Sequence, residues 1–507
     1  MAPMKTRTAT GMRFVSVRGA VGASLAALLA WAVQPAMADV KLPSIEGDYM
    51  VLQASPECKF FGSAAPGEAV TVHYGGRKAA AVADKDGHWQ TFLPGLKSGE
   101  RFDMVVVGKN TITLRDVLVG QVWLCSGQSN MEWPLAQARD HESELAAADH
   151  EQIRLFNVKR KVASSPNADV EGAWCICNAQ TAAPFSAVAY FFGRDLQKDL
   201  KTPVGLIESA WGGTPAQAWT SLSGLQADPV TQKRYWIMAP EQLAHLHEST
   251  GREAEFPSAP SVLFNGMISG LLPATIGGVL WYQGESNAQG ADETMAYRRL
   301  LPALIHDWRK QFQLPNLPFL FVQLANYDKK EEPNERSPWA ELREAQMLSL
   351  SVPNTGMAVA VDIGEDKDIH PKNKQDVGKR LERIALARVY GKKVSFAGPL
   401  FSGMTVRGNK ATCNFKFTDR GLKTRDGGKP QGFTICGEDK KFVTAQAAIN
   451  GNTVVVFSPL VAQPVAVRYA WQGDPINNLC NGAGFPASPF RSDVPAEPPI
   501  VNLPLTK

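Results

Sequence analysis

The chain has 507 residues, 44% of them hydrophobic and 20% charged. That balance excludes disordered and collagen-like chains, is ample for a large buried core, and at this length calls for two or three domains. The 53 Lys+Arg against 49 Asp+Glu give a formal charge of +4, which by itself marks no nucleic-acid binder.

The position of those charges decides their meaning. Residues 1–38 hold Lys5, Arg7, Arg13 and Arg18 and no acidic residue; an apolar run from Ala20 to Val33 and the triplet Ala36-Met37-Ala38 follow. A basic stretch, a short greasy run and a small-x-small site read as a secretory signal peptide cleaved after Ala38. The run is shorter than the ~20 residues a membrane span needs. Cleavage removes four positive charges and leaves the rest without formal net charge. The expectation is a secreted or periplasmic protein with no membrane span and no nucleic-acid partner.

Residues 39–115 form short alternating segments, among them Ala69–Tyr74, Phe102–Val107 and Thr111–Leu114, split by Gly75-Gly76 and Asp86-Gly87. This predicts an N-terminal β-sandwich domain. Residues 116–393 alternate strands with helices. The strands are Val117–Cys125, Val204–Ser209, Gly278–Tyr282, Pro318–Leu324 and Met357–Ile363. The helices are Ser186–Leu200, Val262–Leu272, Ala291–Phe312, Trp339–Leu350 and Gln375–Tyr390. Apolar strands alternating with helices predict a parallel sheet covered on both faces, with ligands at the carboxyl ends of its strands. Residues 394–507 return to short strands (Lys410–Phe417, Gly432–Cys436, Thr453–Phe457, Ala466–Ala470), a second β-sandwich domain. Seven cysteines is an odd number. Export permits disulfides, and Cys413 and Cys436, in adjacent strand-like segments, are a candidate pair. Cys125, inside an apolar strand, reads as a buried thiol.

Polar residues just past the predicted strands are the candidates for chemistry. Gly127-Gln128-Ser129-Asn130-Met131 follows the first of these strands. A serine on a strand-to-helix turn exposes its hydroxyl above the sheet, although Met131 breaks the G-x-S-x-G elbow pattern. A serine nucleophile needs a base. Of eight histidines, only His370 falls on a loop between a predicted strand and helix of the sheet; His73 and His88 lie in the N-terminal β region, His141 and His150 flank a polar helix, His245 and His247 sit in a polar stretch, and His306 lies within a helix. Asp368, two residues before His370, can orient its imidazole. Gln283 can donate an amide N–H to an oxyanion. Glu285 reads as support for the site, with a general base as the alternative. Gly212-Gly213 lets backbone approach a ligand and offers N–H donors. Trp123, Trp133, Trp211, Trp219 and Trp281 cluster around these motifs as sugar-stacking or core residues.

At these residues the chain resembles the sialate O-acetylesterase family, within the SGNH-type hydrolases. The resemblance rests on Val117 through Met131, on Trp211-Gly212-Gly213-Thr214, on Pro260 through Met267, on Trp281 through Asn287, on Asp368-Ile369-His370-Pro371-Lys372-Asn373-Lys374, and on Pro486 through Arg491. It implies a three-layer α/β/α catalytic domain between β-sandwich domains. It implies Ser129 as nucleophile, His370 as base and Asp368 as the acid orienting it, with Asp362 and Asp366 as alternatives. The oxyanion donors it implies are the Ser129 N–H, an N–H of Gly212 or Gly213, and Gln283, which replaces the asparagine of the wider SGNH pattern. The reaction implied is removal of O-acetyl groups from sialic acids through an acetyl-serine intermediate, with no metal or cofactor. An acetylesterase acting on xylan or another polysaccharide is the alternative with the same machinery; a non-catalytic glycan-binding protein is the alternative of another class.

Overall fold

One long strand organises the molecule. In the computed structural model, which describes residues 39–235, 256–328 and 330–493, strand β1 runs unbroken over Thr111–Gly127. Its first half alternates exposed and buried residues and pairs antiparallel with Arg101–Val107. Its second half, Val117 to Cys125, is apolar and almost wholly buried, and runs parallel to Val204–Ala210 and Gly278–Tyr282. The change from alternation to a continuous apolar run is thus the change from a half-exposed antiparallel ribbon to a sheet covered on both faces. The expected boundary between residues 115 and 116 falls inside this strand, next to Asp116, which takes a positive φ of 56°.

The remaining strands of the central sheet are β2 (His150–Asn157), β3 (Trp174–Cys177), β4 (Val204–Ala210), β5 (Gly278–Tyr282), β6 (Phe319–Gln323) and β7 (Thr355–Val359). Their order is β7-β6-β5-β1-β4-β2-β3. All neighbours are parallel except the edge strand β3, which is antiparallel to β2. The first strand in sequence is therefore central, and the chain departs to either side of it, the switch point at which open α/β sheets bind ligands.

Five helices matter for the site: α1 (Ser129–Glu132), α2 (Ala187–Leu200), α3 (Ala291–Gln311), α4 (Pro338–Leu348) and α5 (Lys374–Arg388). Adjacent residues of β6 show that both faces of the sheet are covered. Phe319 meets Trp308 of α3 with ring centroids 5.9 Å apart, while Leu320 and Ile384 of α5 both crowd the space beside Gly356. Side chains of successive strand residues point to opposite faces. Ser186 caps α2 by accepting the Ala189 N–H, and Asn373 caps α5 by accepting the Asp376 N–H. Pro371 stands three residues before α5 begins. The expected helix Val262–Leu272 is helical over residues 262–271, with a π-helical turn at Phe264–Ile268 and a 3-10 turn at Ser269–Leu271.

Strands Val51–Gln53, Ala69–Tyr74, Arg77–Val82 and Arg101–Val107 extend the central sheet through β1, and residues from Val40 to Leu386 share one continuous core. After α5 the chain forms two four-stranded antiparallel sheets, one containing Lys410–Lys416 and Thr453–Phe457, the other Phe433–Cys436 and Ala466–Tyr469. Cys413, Val454, Ile435, Val467 and Phe490 from both sheets pack into a second core. The candidate pairing of Cys413 with Cys436 does not form, because the two lie on different sheets and in different clusters; all seven cysteines are free. Cys125 is fully buried. No helix among the described residues is long and apolar enough to cross a membrane. The leader sequence of residues 1–38 lies outside the described residues.

Candidate active site

The turn after β1 begins at Gly127, whose φ of 139° and whose position against Tyr282, where a Cβ would lie 2.1 Å from the carbonyl oxygen, admit only glycine. Gln128 then donates its N–H to that same Tyr282 carbonyl, at 3.0 Å. The chain turns into α1 with Ser129 first, at the carboxyl end of the central strand.

His370 arrives from the loop between β7 and α5. Its Nε2 lies 2.8 Å from Ser129 Oγ. The imidazole stacks on Trp133, with centroids 4.9 Å apart and planes 19° from parallel. Asp368 Oδ1 accepts the His370 backbone N–H at 2.9 Å and stands 3.7 Å from Nδ1. The two other acids considered are differently placed. Asp362 is held by Arg380 through both oxygens, at 2.6 and 2.8 Å, and by Arg425 at 2.7 Å; Asp366 is exposed. Burial first, and then the Lys374 ammonium, push the His370 imidazole below its ordinary range against the pull of Asp368. A neutral imidazole can accept the serine proton.

A buried polar chain ties the Ser129 segment to the His370 loop. Asn130, next to Ser129, donates through Nδ2 to the Ile369 carbonyl at 2.9 Å and to Glu285 Oε1, and accepts from Lys374 Nζ through Oδ1. Asn130, Glu285 and Lys374 are all buried. The Lys374 ammonium lies between the rings of Trp133 and Tyr282, 5.7 and 5.6 Å from their centroids. Burial pulls Lys374 down to about 7 despite Glu285, and pushes the Glu285 carboxyl up. Glu285 bonds Asn130 and does not line the cavity onto which Ser129 and His370 open.

The glycines and Gln283 sit as follows. Gly212 packs against Ser129, since a Cβ there would lie 3.2 Å from Ser129 Cβ. Its N–H donates to Glu132 Oε2 at 2.8 Å. Gly213 has a φ of 75° and open space where a Cβ would project. Gln283 is fully buried. Its Nε2 donates to Asn287 Oδ1 at 2.8 Å, Gln128 Oε1 at 3.2 Å and the Thr214 carbonyl at 3.3 Å, and its Oε1 accepts from the Tyr297 hydroxyl at 2.9 Å. This corrects the expectation that Gln283 donates to an oxyanion. The longer side chain reaches into the body of the protein, its amide hydrogens are already engaged, and it braces the three loops that carry Gln128, Thr214 and Asn287.

Ser129 and His370 open on a cavity of about 420 Å³, also lined by Glu132, Trp133, Arg160 and Glu208. Arg160 follows the end of β2 and donates through Nε to Glu132 Oε1 at 2.8 Å. Glu208, on β4, accepts from the Ser186 N–H at 2.8 Å and from Asn157 Nδ2 at 3.2 Å; burial pushes it up to about 8. Of the other tryptophans, Trp211 lies under the Arg160 guanidinium, whereas Trp123, Trp219 and Trp281 are fully buried. His245 and His247 lie outside the described residues. No group of three or more His, Cys, Asp or Glu side chains among the described residues is gathered as a metal ion would need.

Residues 119–387 match the family model described as carbohydrate esterase, sialic acid-specific acetylesterase. The chain belongs to this family. Sialate O-acetylesterases from Homo sapiens and Rattus norvegicus are 32% and 30% identical to it, with the alignments covering 94% of this chain in each case and 95% and 98% of those proteins. The crystal structure of a carbohydrate acetylesterase from Xanthomonas citri is 38% identical, covers 90% of this chain and 99% of that one, and superposes with a TM-score of 0.82. The residues missed by sequence reasoning on this esterase are Asn130, Glu132, Arg160, Glu208 and Lys374. Asn130 and Lys374 stand inside the quoted motifs, beside Ser129 and four residues after His370, and that adjacency was the available signal. Arg160 carries no such signal, because strand β2 was not foreseen; Glu208 lies within the expected strand Val204–Ser209, and nothing local shows that it reaches the cavity.

Proposed function

We propose that this esterase removes O-acetyl groups from sialic acids through an acetyl-Ser129 intermediate. The observation that carries the mechanism is the 2.8 Å contact of His370 Nε2 with Ser129 Oγ at the carboxyl end of the central strand. Ser129 Oγ attacks the acetyl carbonyl carbon as His370 Nε2 takes its proton. The oxyanion is received by the Ser129 N–H and by an N–H of Gly212 or Gly213; at Gly212 this requires Glu132 to release the amide. His370 then returns the proton to the departing sugar oxygen. Water, deprotonated by His370, attacks the acetyl-serine carbonyl; the acyl C–Oγ bond then breaks, His370 returns the proton to Ser129 Oγ, and acetate leaves. Asp368 orients His370 through the backbone and closes on Nδ1 as the imidazolium forms, a tightening common between empty and occupied sites.

The sialic acid assignment is supported by the family match and by the names of the human and rat relatives. The Xanthomonas relative is described only as a carbohydrate acetylesterase, so the sugar is what must be tested. Acetate release is measured from O-acetylated sialic acid, acetylated xylan and an aryl acetate. Preference for the sialic acid is expected; release from xylan alone would make the protein a polysaccharide esterase.

The basic and apolar leader supports export, with residues 1–38 removed and delivery to the periplasm or the medium. We read the sheets after residue 394 as a β-sandwich domain, and residues 39–115 as an N-terminal β domain that shares β1 with the catalytic layer.

A further inference from the structure

We propose that Arg160 determines specificity by pairing with the carboxylate of an acidic acetylated sugar. The inference rests on the sialic acid reading above and deepens it.

Arg160 and Ser129 line the same cavity, and one carboxylate joins them. Glu132 lies on the same short helix as Ser129. Its Oε1 accepts from Arg160 Nε and Nη2, and its Oε2 accepts from Gly212, which packs on Ser129. The guanidinium is therefore fixed one side chain away from the nucleophile. It also lies over the Trp211 ring, 5.5 Å from the centroid. Its backbone is fixed as well: the Val158 N–H donates to the Glu208 carbonyl at 2.8 Å, and the Lys159 N–H to the Glu171 carbonyl at 2.8 Å. Such preorganisation lowers the ordering cost of binding.

Glu132 takes only one edge of the fork. Among the described residues Nη1 has no hydrogen-bond partner, and the side chain is 53% exposed. An arginine is always charged, and its planar fork matches a carboxylate. Of the charged groups lining the cavity, Arg160 and Lys159 face Glu132 and Glu208, and burial pushes the Glu208 carboxyl up to about 8. Lys159 pairs with Glu171 at the exposed rim. A neutral acetylated sugar gives Arg160 nothing to pair with; a sialic acid does.

The test varies the substrate and the residue together. Acetate release is followed with an O-acetylated sialic acid and with the same sugar carrying a neutral carboxamide in place of the carboxylate. In wild-type protein kcat/KM for the acid is expected to exceed that for the amide by about tenfold to a hundredfold, mainly through KM. In Arg160→Gln that ratio is expected near one. Arg160→Lys, which keeps the charge and loses the fork, is expected between the two. A wild-type ratio near one, or a ratio that Arg160→Gln leaves unchanged, overturns the inference and leaves the esterase reading standing. Release from neither sialic acid derivative by wild-type protein overturns the substrate reading and the inference with it.

Discussion

Asp368 and Asp362 are six positions apart in one loop, and their surroundings assign them different work. Asp362 is locked between Arg380 and Arg425, whereas the Asp368 carboxylate accepts the His370 N–H and faces its Nδ1. Asp368→Asn is expected to lower kcat by about 10²- to 10⁴-fold with an unchanged unfolding midpoint. Asp362→Asn is expected to lower the midpoint and leave kcat near that of the wild type. Steady-state rates and thermal melts of the two variants check this, and the reverse outcome would make Asp362 the orienting acid. Ser129 and His370 were legible in the sequence because each follows a predicted strand of one sheet. The polar chain beneath them was not, because Asn130 and Lys374 meet across 244 positions and no local pattern encodes that contact. Gln283 was misread for a related reason. Its chemistry suited an oxyanion, but the direction of its amide depends on Asn287, Gln128 and Tyr297.

At the level of elements, the site is assembled where β1, β4 and β2 end. Glu208 joins these pieces. It sits on β4, holds Asn157 at the end of β2, and accepts the N–H of Ser186, which caps α2 and donates its hydroxyl to the Met131 carbonyl of α1. Its folded-state carboxyl is raised to about 8 by burial. A raised carboxyl contributes stability that is complete below the ordinary carboxylate range and is lost as pH rises through the folded value. Urea unfolding of the wild type should therefore weaken between about pH 5 and about pH 8, with a contribution of up to about 1.4 kcal/mol per pH unit from this group. Glu208→Gln, which keeps an acceptor for Ser186, should show the smaller slope; equal slopes would contradict the burial of a titrating Glu208. The strand–helix alternation was readable because β4, β5, β6 and β7 each carry a run of apolar residues. Strand β2 was not, because its sequence, from His150 to Asn157, places Glu151, Gln152 and Arg154 among the apolar residues. Arg154 is fully buried and paired with Asp116, which a hydropathy pattern does not show.

Across the whole molecule, one contact on each side illustrates how the flanking sheets are held to the catalytic layer. On the N-terminal side β1 itself crosses over, so the change of regime near residue 115 was visible in the sequence while the continuity of the strand was not. On the C-terminal side Glu344 of α4, 1% exposed, accepts from Arg491 at 2.8 and 2.9 Å and from Arg298 of α3. Removing Arg491 breaks two charge-assisted hydrogen bonds but leaves Glu344 paired with Arg298. Arg491→Met is expected to destabilise the protein by about 1.5–3 kcal/mol in urea unfolding, and a loss below about 0.5 kcal/mol would mean that this contact does not bind the C-terminal sheets to the core. On the proposed mechanism, activity depends on the Ser129 hydroxyl. The direct measurement is mass spectrometry of the full-length protein quenched during turnover of an acetyl ester. One acetyl group on the peptide containing Ser129, absent from Ser129→Ala together with all acetate release, is the result expected; undiminished acetate release by Ser129→Ala, or an acetyl group carried elsewhere, would contradict the account.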